Sequence, residues 1–78
     1  MQDTVTTPQL IEELNKAGII HSETLRGGRN ILSAWVKRGV LELRRMPHNG
    51  YFVVYADEVP KIIKELSPGG SGKYSYKN

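Results

Sequence analysis

Arg44 and Arg45 stand between an amphipathic segment and the turn-forming run Met46-Pro47-His48-Asn49-Gly50, and they are the residues of this 78-residue chain best suited to chemistry with anions. A guanidinium group forms paired hydrogen bonds with phosphate oxygens and with the guanine edge, and an asparagine amide can pair in the same way with adenine. Upstream lie Arg26, Arg29, Asn30, Ser33 and Lys37, introduced by Ser22 and Thr24. Their functional reading is a helix seated in the major groove of a duplex, while His48 and Asn49 at a hairpin tip, with one of the two arginines, would touch phosphate or enter the minor groove. The bland readings are a solvated strand edge for Arg44 and Arg45 and a helix cap for Asn30.

Charge distribution supports the anionic partner more than total charge does. The net charge of +3 and pI near 9.4 are modest. Residues 20–50 carry six cations against two carboxylates, whereas residues 1–19 carry one against three and residues 51–78 four against three. The excess is therefore concentrated around the helix and hairpin, where it can neutralise phosphates.

Other chemistries lack support. No nucleophile, base and orienting group stand at a recognisable spacing, and a domain this small has little room for a deep catalytic cavity beside its core. The expectation is that the protein is not an enzyme. With no cysteine and two isolated histidines, His21 and His48, neither a disulfide nor a metal cluster is expected, and no cofactor is implied. Gly27-Gly28-Arg29-Asn30 lacks the GK[ST] ending and preceding strand of a nucleotide-binding loop. No apolar run approaches the roughly 18 residues of a membrane span, and MQDTVTTPQ has neither the basic start nor the apolar stretch of a secretory signal. The expected location is the cytoplasm, with nucleoid association when DNA is bound.

Several elements must position these residues. Residues 1–6 read as a flexible lead, residues 7–66 as the domain, and residues 67–78, Gly/Ser-rich and basic, as a disordered tail. Thr7 followed by Pro8 marks a helix start, Leu10, Ile11, Leu14 and Ala17 form its inward face, and Gly18 stops it. Ser22 can cap a second start. Gly27 and Gly28 leave two possibilities: one long helix with a weak point, or, as favoured, a short helix, a loop and a new helix from Ile31. Ile31, Leu32, Trp35 and Val36 face inward until Gly39, with Trp35 in the core or at a dimer seam. Val40 to Arg45 alternates as a strand, MPHNG turns, and YFVVY returns. Asp57 can cap a last helix that turns Val59, Ile62, Ile63 and Leu66 toward the core.

The order helix, turn, helix, glycine, strand, turn, strand resembles a winged helix-turn-helix, with SETL, AWVKRGVLELRR and NGYFVV at the joints. The second half is similar to the MerR and excisionase group: Trp35, Arg38, Gly39, Val40, Leu41, Arg45, Asn49-Gly50-Tyr51, Tyr55 and Asp57-Glu58-Val59 follow its pattern. LRGGRNILS lengthens the segment before the tryptophan, and Phe52 stands where that group usually has a basic residue. The resemblance spans Thr7 to Leu66. It implies an α+β, mainly α fold of three to four helices with a two-stranded hairpin wing. It also implies double-stranded DNA as partner, a recognition helix near Asn30 to Lys37, and a role as a small transcriptional regulator or excisionase-like accessory factor. A homodimer or cooperative array is expected, through the last helix or through Tyr51 and Tyr55. The same fold also serves as a protein-protein interaction module, in an assembly subunit or an inhibitor of a larger complex.

Overall fold

A computed structural model describes residues 3–45 and 52–77. In chain order they form β1 (Thr4–Val5), α1 (Thr7–Lys16), α2 (Leu25–Lys37), β2 (Leu41–Glu42), β3 (Arg44–Arg45), β4 (Phe52–Tyr55), α3 (Glu58–Leu66) and β5 (Tyr74–Ser75). The fold is α+β and mainly helical, with three helices and five short strands among the described residues.

Local rules account for the helix ends. Thr6, one residue earlier than expected, caps α1: its hydroxyl accepts from the Gln9 N–H at 3.3 Å while the Gln9 side chain accepts from the Thr6 N–H at 2.8 Å. That reciprocal pair is available from position 6 because Gln9 lies three residues on, and Pro8 then sits where its missing N–H has no partner to lose. Both α1 and α2 end in the same way. Gly39 has a φ of +78°, and its N–H and that of Val40 return to the carbonyls of Val36 and Trp35; Gly18 and Ile19 do the same for α1. Only glycine takes that left-handed geometry without strain.

The favoured loop at Gly27-Gly28 does not form, since α2 runs unbroken through both. Thr24 rather than Ser22 or Asn30 caps it, accepting from the Gly27 N–H at 3.0 Å; the Ser22 hydroxyl donates instead to the Thr24 carbonyl. The physical reason lies in α1. A Cβ on Gly28 would fall 2.6 Å from Ile11 Cγ2, so the glycine leaves the room that Ile11 of α1 fills. Packing thereby offsets the roughly 1 kcal/mol that a glycine costs in a helix.

Leu41 and Leu43 both face the core, as the alternation indicates. Yet the strand divides at Leu43. β3 pairs antiparallel with β4, placing Arg44 opposite Val53 and Arg45 opposite Phe52, while β2 pairs in parallel with β5. Both ends of the chain contribute to these sheets, against expectation. Thr4–Val5, within the expected flexible lead, pairs with β4 and gives a three-stranded sheet of order β1-β4-β3. Residues 67–77, expected as a disordered tail, fold back: the N–H groups of Tyr74 and Tyr76 donate to the carbonyls of Val40 and Glu42. Composition alone gave no weight to Tyr74, whose ring enters the core at 8% exposure and anchors the segment.

That core joins Leu10, Ile11 and Leu14 of α1 to Leu32 of α2, the two strand leucines, Val54, and Val59 and Ile62 of α3, with Trp35 half-buried against it. Asp57 occupies the cap position of α3 without a side-chain hydrogen bond. Among the described residues no helix is long and apolar enough to cross a membrane.

Candidate nucleic-acid interface

The helical step of about 100° per residue places Arg26, Arg29, Asn30, Ser33 and Lys37 within an arc of roughly 100° on α2. All five are exposed, and the opposite side of the helix carries Gly28 and Leu32 into the core. Unbroken helix through Gly27-Gly28 is what keeps Arg26 in line with the others. Asn30, no longer needed as a cap, presents its amide from the middle of this stripe. Among the described residues, Arg26, Arg29, Lys37 and Arg38 have no carboxylate within 4.0 Å.

Arg45 extends this surface to the sheet. It is exposed, without a carboxylate neighbour among the described residues, and its guanidinium lies 4.8 Å from the centre of the Phe52 ring. Phe52 and Arg29 border one hollow together with Thr6, Thr7 and Pro8. Phe52 is thus a neighbour of both a helix cation and a strand cation. Thr24 and Ser22 stand at the start of α2, where Thr24 is committed to capping the helix. His48, Asn49 and the rest of the turn lie outside the described residues.

Arg44 departs from expectation. Successive strand residues face opposite ways, and Arg44 turns from Arg45 toward the start of α3. Its Nη1 donates to Glu58 Oε1 at 2.7 Å, and its guanidinium lies 4.8 and 4.6 Å from the ring centres of Tyr55 and Tyr76. Glu58, only 6% exposed, also accepts from the Tyr74 hydroxyl at 2.9 Å and the Tyr55 N–H at 2.8 Å. Burial pushes the Glu58 carboxyl upward, but these donors outweigh it and hold it below the usual carboxylate range. Burial and the bond to Glu58 push the Tyr74 phenol up to about 12, and the same carboxylate raises Arg44. Arg44 is therefore a structural cation rather than a contact waiting for phosphate.

This Glu58 hub was missed in the sequence, although one signal for it exists. Glu58 precedes Ile62 by four residues and so shares the inward face of α3. A carboxylate there requires a buried partner. Glu42, one of the two carboxylates of the basic segment, is engaged by Lys77 at 3.0 Å.

Among the described residues no group of three His, Cys, Asp or Glu side chains could hold a metal ion. Comparison of the chain with protein-family models, with curated proteins and with solved structures finds no match.

Proposed function

We propose that the chain is a winged helix-turn-helix protein that binds double-stranded DNA, as a small transcriptional regulator or an excisionase-like accessory factor. In this reading α2 enters the major groove and β3–β4 form a wing on the flanking backbone. One observation carries the reading: five polar and cationic side chains lie on one exposed stripe of α2, opposite its core-facing side. The shared contact of Arg29 and Arg45 with the surroundings of Phe52 supports a surface that spans helix and wing. Arg26, Arg29, Lys37 and Arg45 would neutralise phosphates or read guanine, with Asn30 and Ser33 between them on the base edges.

A module of this size buries only about 600–1,000 Å² on DNA, so copies bind as dimers or cooperatively on repeated sites. The test is fluorescence anisotropy with labelled random duplex over a series of salt concentrations. Four phosphate contacts give a slope of roughly −3 to −4 in log affinity against log salt. Absence of duplex affinity at low salt would remove this function.

A further inference from the structure

A second cationic surface lies beside Arg44, lined by α3 and the folded-back segment. Arg44 and Arg45 point to opposite sides of β3, and the groove beside Arg44 is lined by none of the stripe residues nor by Phe52, although its Tyr76 also borders a hollow with Arg45. The groove has a volume of about 510 Å³, within the size range of small-molecule sites. Tyr55, Tyr74 and Tyr76 form part of its wall, and Lys61, Lys64 and Lys73 line it. Lys61 and Lys64 are three residues apart on α3 and so project from one face; Lys73 comes from the folded-back segment.

The charges in this groove are unequally engaged. Among the described residues, none of the three lysines has a carboxylate within 4.0 Å. Of the three carboxylates that line the same space, Glu58 is held by Arg44, Tyr74 and the Tyr55 N–H, and Glu65 accepts from the Ser71 hydroxyl. A neutral hydroxyl leaves the charge of Glu65 in place, and Asp57 is not engaged among the described residues. An entering anion therefore meets three ammonium groups against these two carboxylates, a net excess of one positive charge, beside the Arg44 guanidinium that lies against two aromatic rings. Lysines act as mobile point charges toward phosphate, and convergence of three of them favours a ligand with more than one negative charge.

We propose that this groove is a binding site for a small phosphate-bearing polyanion, of the pyrophosphate or nucleoside triphosphate type. The proposal does not rest on DNA binding, which concerns the α2 stripe. The folded-back segment completes the site by supplying Lys73, Tyr74 and Tyr76.

The test is a titration of the isotope-labelled full chain with inorganic pyrophosphate, followed by amide NMR at constant ionic strength. Saturable shifts clustered at Lys61, Lys64, Lys73 and Tyr76 support the site. A triple variant, Lys61→Gln with Lys64→Gln and Lys73→Gln, weakens binding by about tenfold or more, while Arg29→Ala leaves it unchanged. A parallel arm with ATP separates the two sources of phosphate: tighter binding than pyrophosphate assigns a nucleotide, and equal binding assigns the phosphate chain alone. Shifts that do not saturate, or that map to the α2 stripe, overturn the proposal. So does undiminished affinity in the glutamine variant, whose native amide spectrum is checked first; the map on the unmodified chain stands independently of that variant.

Discussion

Arg44 and Arg45 are consecutive and chemically identical, yet the fold gives them opposite roles. Arg44 lies between two tyrosine rings and is held by a buried carboxylate. Arg45 is exposed over Phe52 and has no such partner among the described residues. The lesson concerns availability: a cation can serve an outside phosphate only where the protein itself supplies no carboxylate. Among the described residues, the cations of the α2 stripe, Arg45 and the three lysines beside the Arg44 groove are available in this sense, whereas Arg44 and Lys77, beside Glu58 and Glu42, maintain the structure.

The largest effect should come from removing the carboxylate at the paired end of this comparison. Glu58→Ala leaves the part-buried Tyr55 N–H and the buried Tyr74 hydroxyl without an acceptor, at about 1–3 kcal/mol for each unsatisfied group and about 3 kcal/mol in all. Urea unfolding measures the loss, and a cost below about 1 kcal/mol would deny the hub its structural role. At the exposed end, Arg29→Ala combined with Arg45→Ala should reduce the salt slope of duplex binding by about 2 with an unchanged melting temperature. Arg44→Ala should do the reverse, lowering the melting temperature while the slope stays constant. Equal slopes lost from Arg44 and Arg45 would erase the distinction between them.

The mounting of the stripe on α1 offers a third comparison. Gly28→Ala should destabilise by about 1–2 kcal/mol, despite alanine's better helix propensity, because its methyl overlaps Ile11. Gly27→Ala meets only the hydroxyls of Ser22 and Thr24 at 3.1 Å and should cost less in the same unfolding assay.

Tyr74→Phe removes one hydrogen bond and should cost about 1 kcal/mol. It should also abolish a phenol titrating near pH 12 in ultraviolet absorbance. Since that folded value lies above the usual 10.0, its stabilisation is complete below pH 10 and is lost as pH rises through 12. The Glu58 carboxyl titrates in the opposite sense. Its folded value is depressed, so its stabilisation is complete above the usual 4.5 and is lost as pH falls through the lower folded value. The stability gap between the native chain and Glu58→Gln should narrow on acidification; a gap that widens would contradict the assignment.

Much of the frame was legible because it depends on neighbours in sequence. The stops at Gly18 and Gly39, the inward leucines at 41 and 43 and the apolar face of α3 follow from periodicity and local hydrogen bonding. The site was legible in part: Arg26, Arg29, Asn30, Ser33 and Lys37 were singled out, but their common stripe depended on whether α2 continued through two glycines. That continuity begins with the Thr24 cap, and the glycine at 28 is matched to Ile11, a residue of another helix that local propensity does not see.

By itself, then, the sequence determined where the first two helices stop, which leucines and isoleucines turn inward and where cationic charge accumulates, since capping, backbone freedom and periodicity act over about one or two helical turns. Tertiary structure alone decided that Arg44 would be paired, that the Gly/Ser-rich segment would dock through Tyr74, and that Arg45 and Arg29 would share Phe52 as neighbour. Glu58 meets Arg44 across 14 residues and Tyr74 across 16. Such contacts exist only after the chain has folded back on itself, because a buried carboxylate selects its donors by proximity in space.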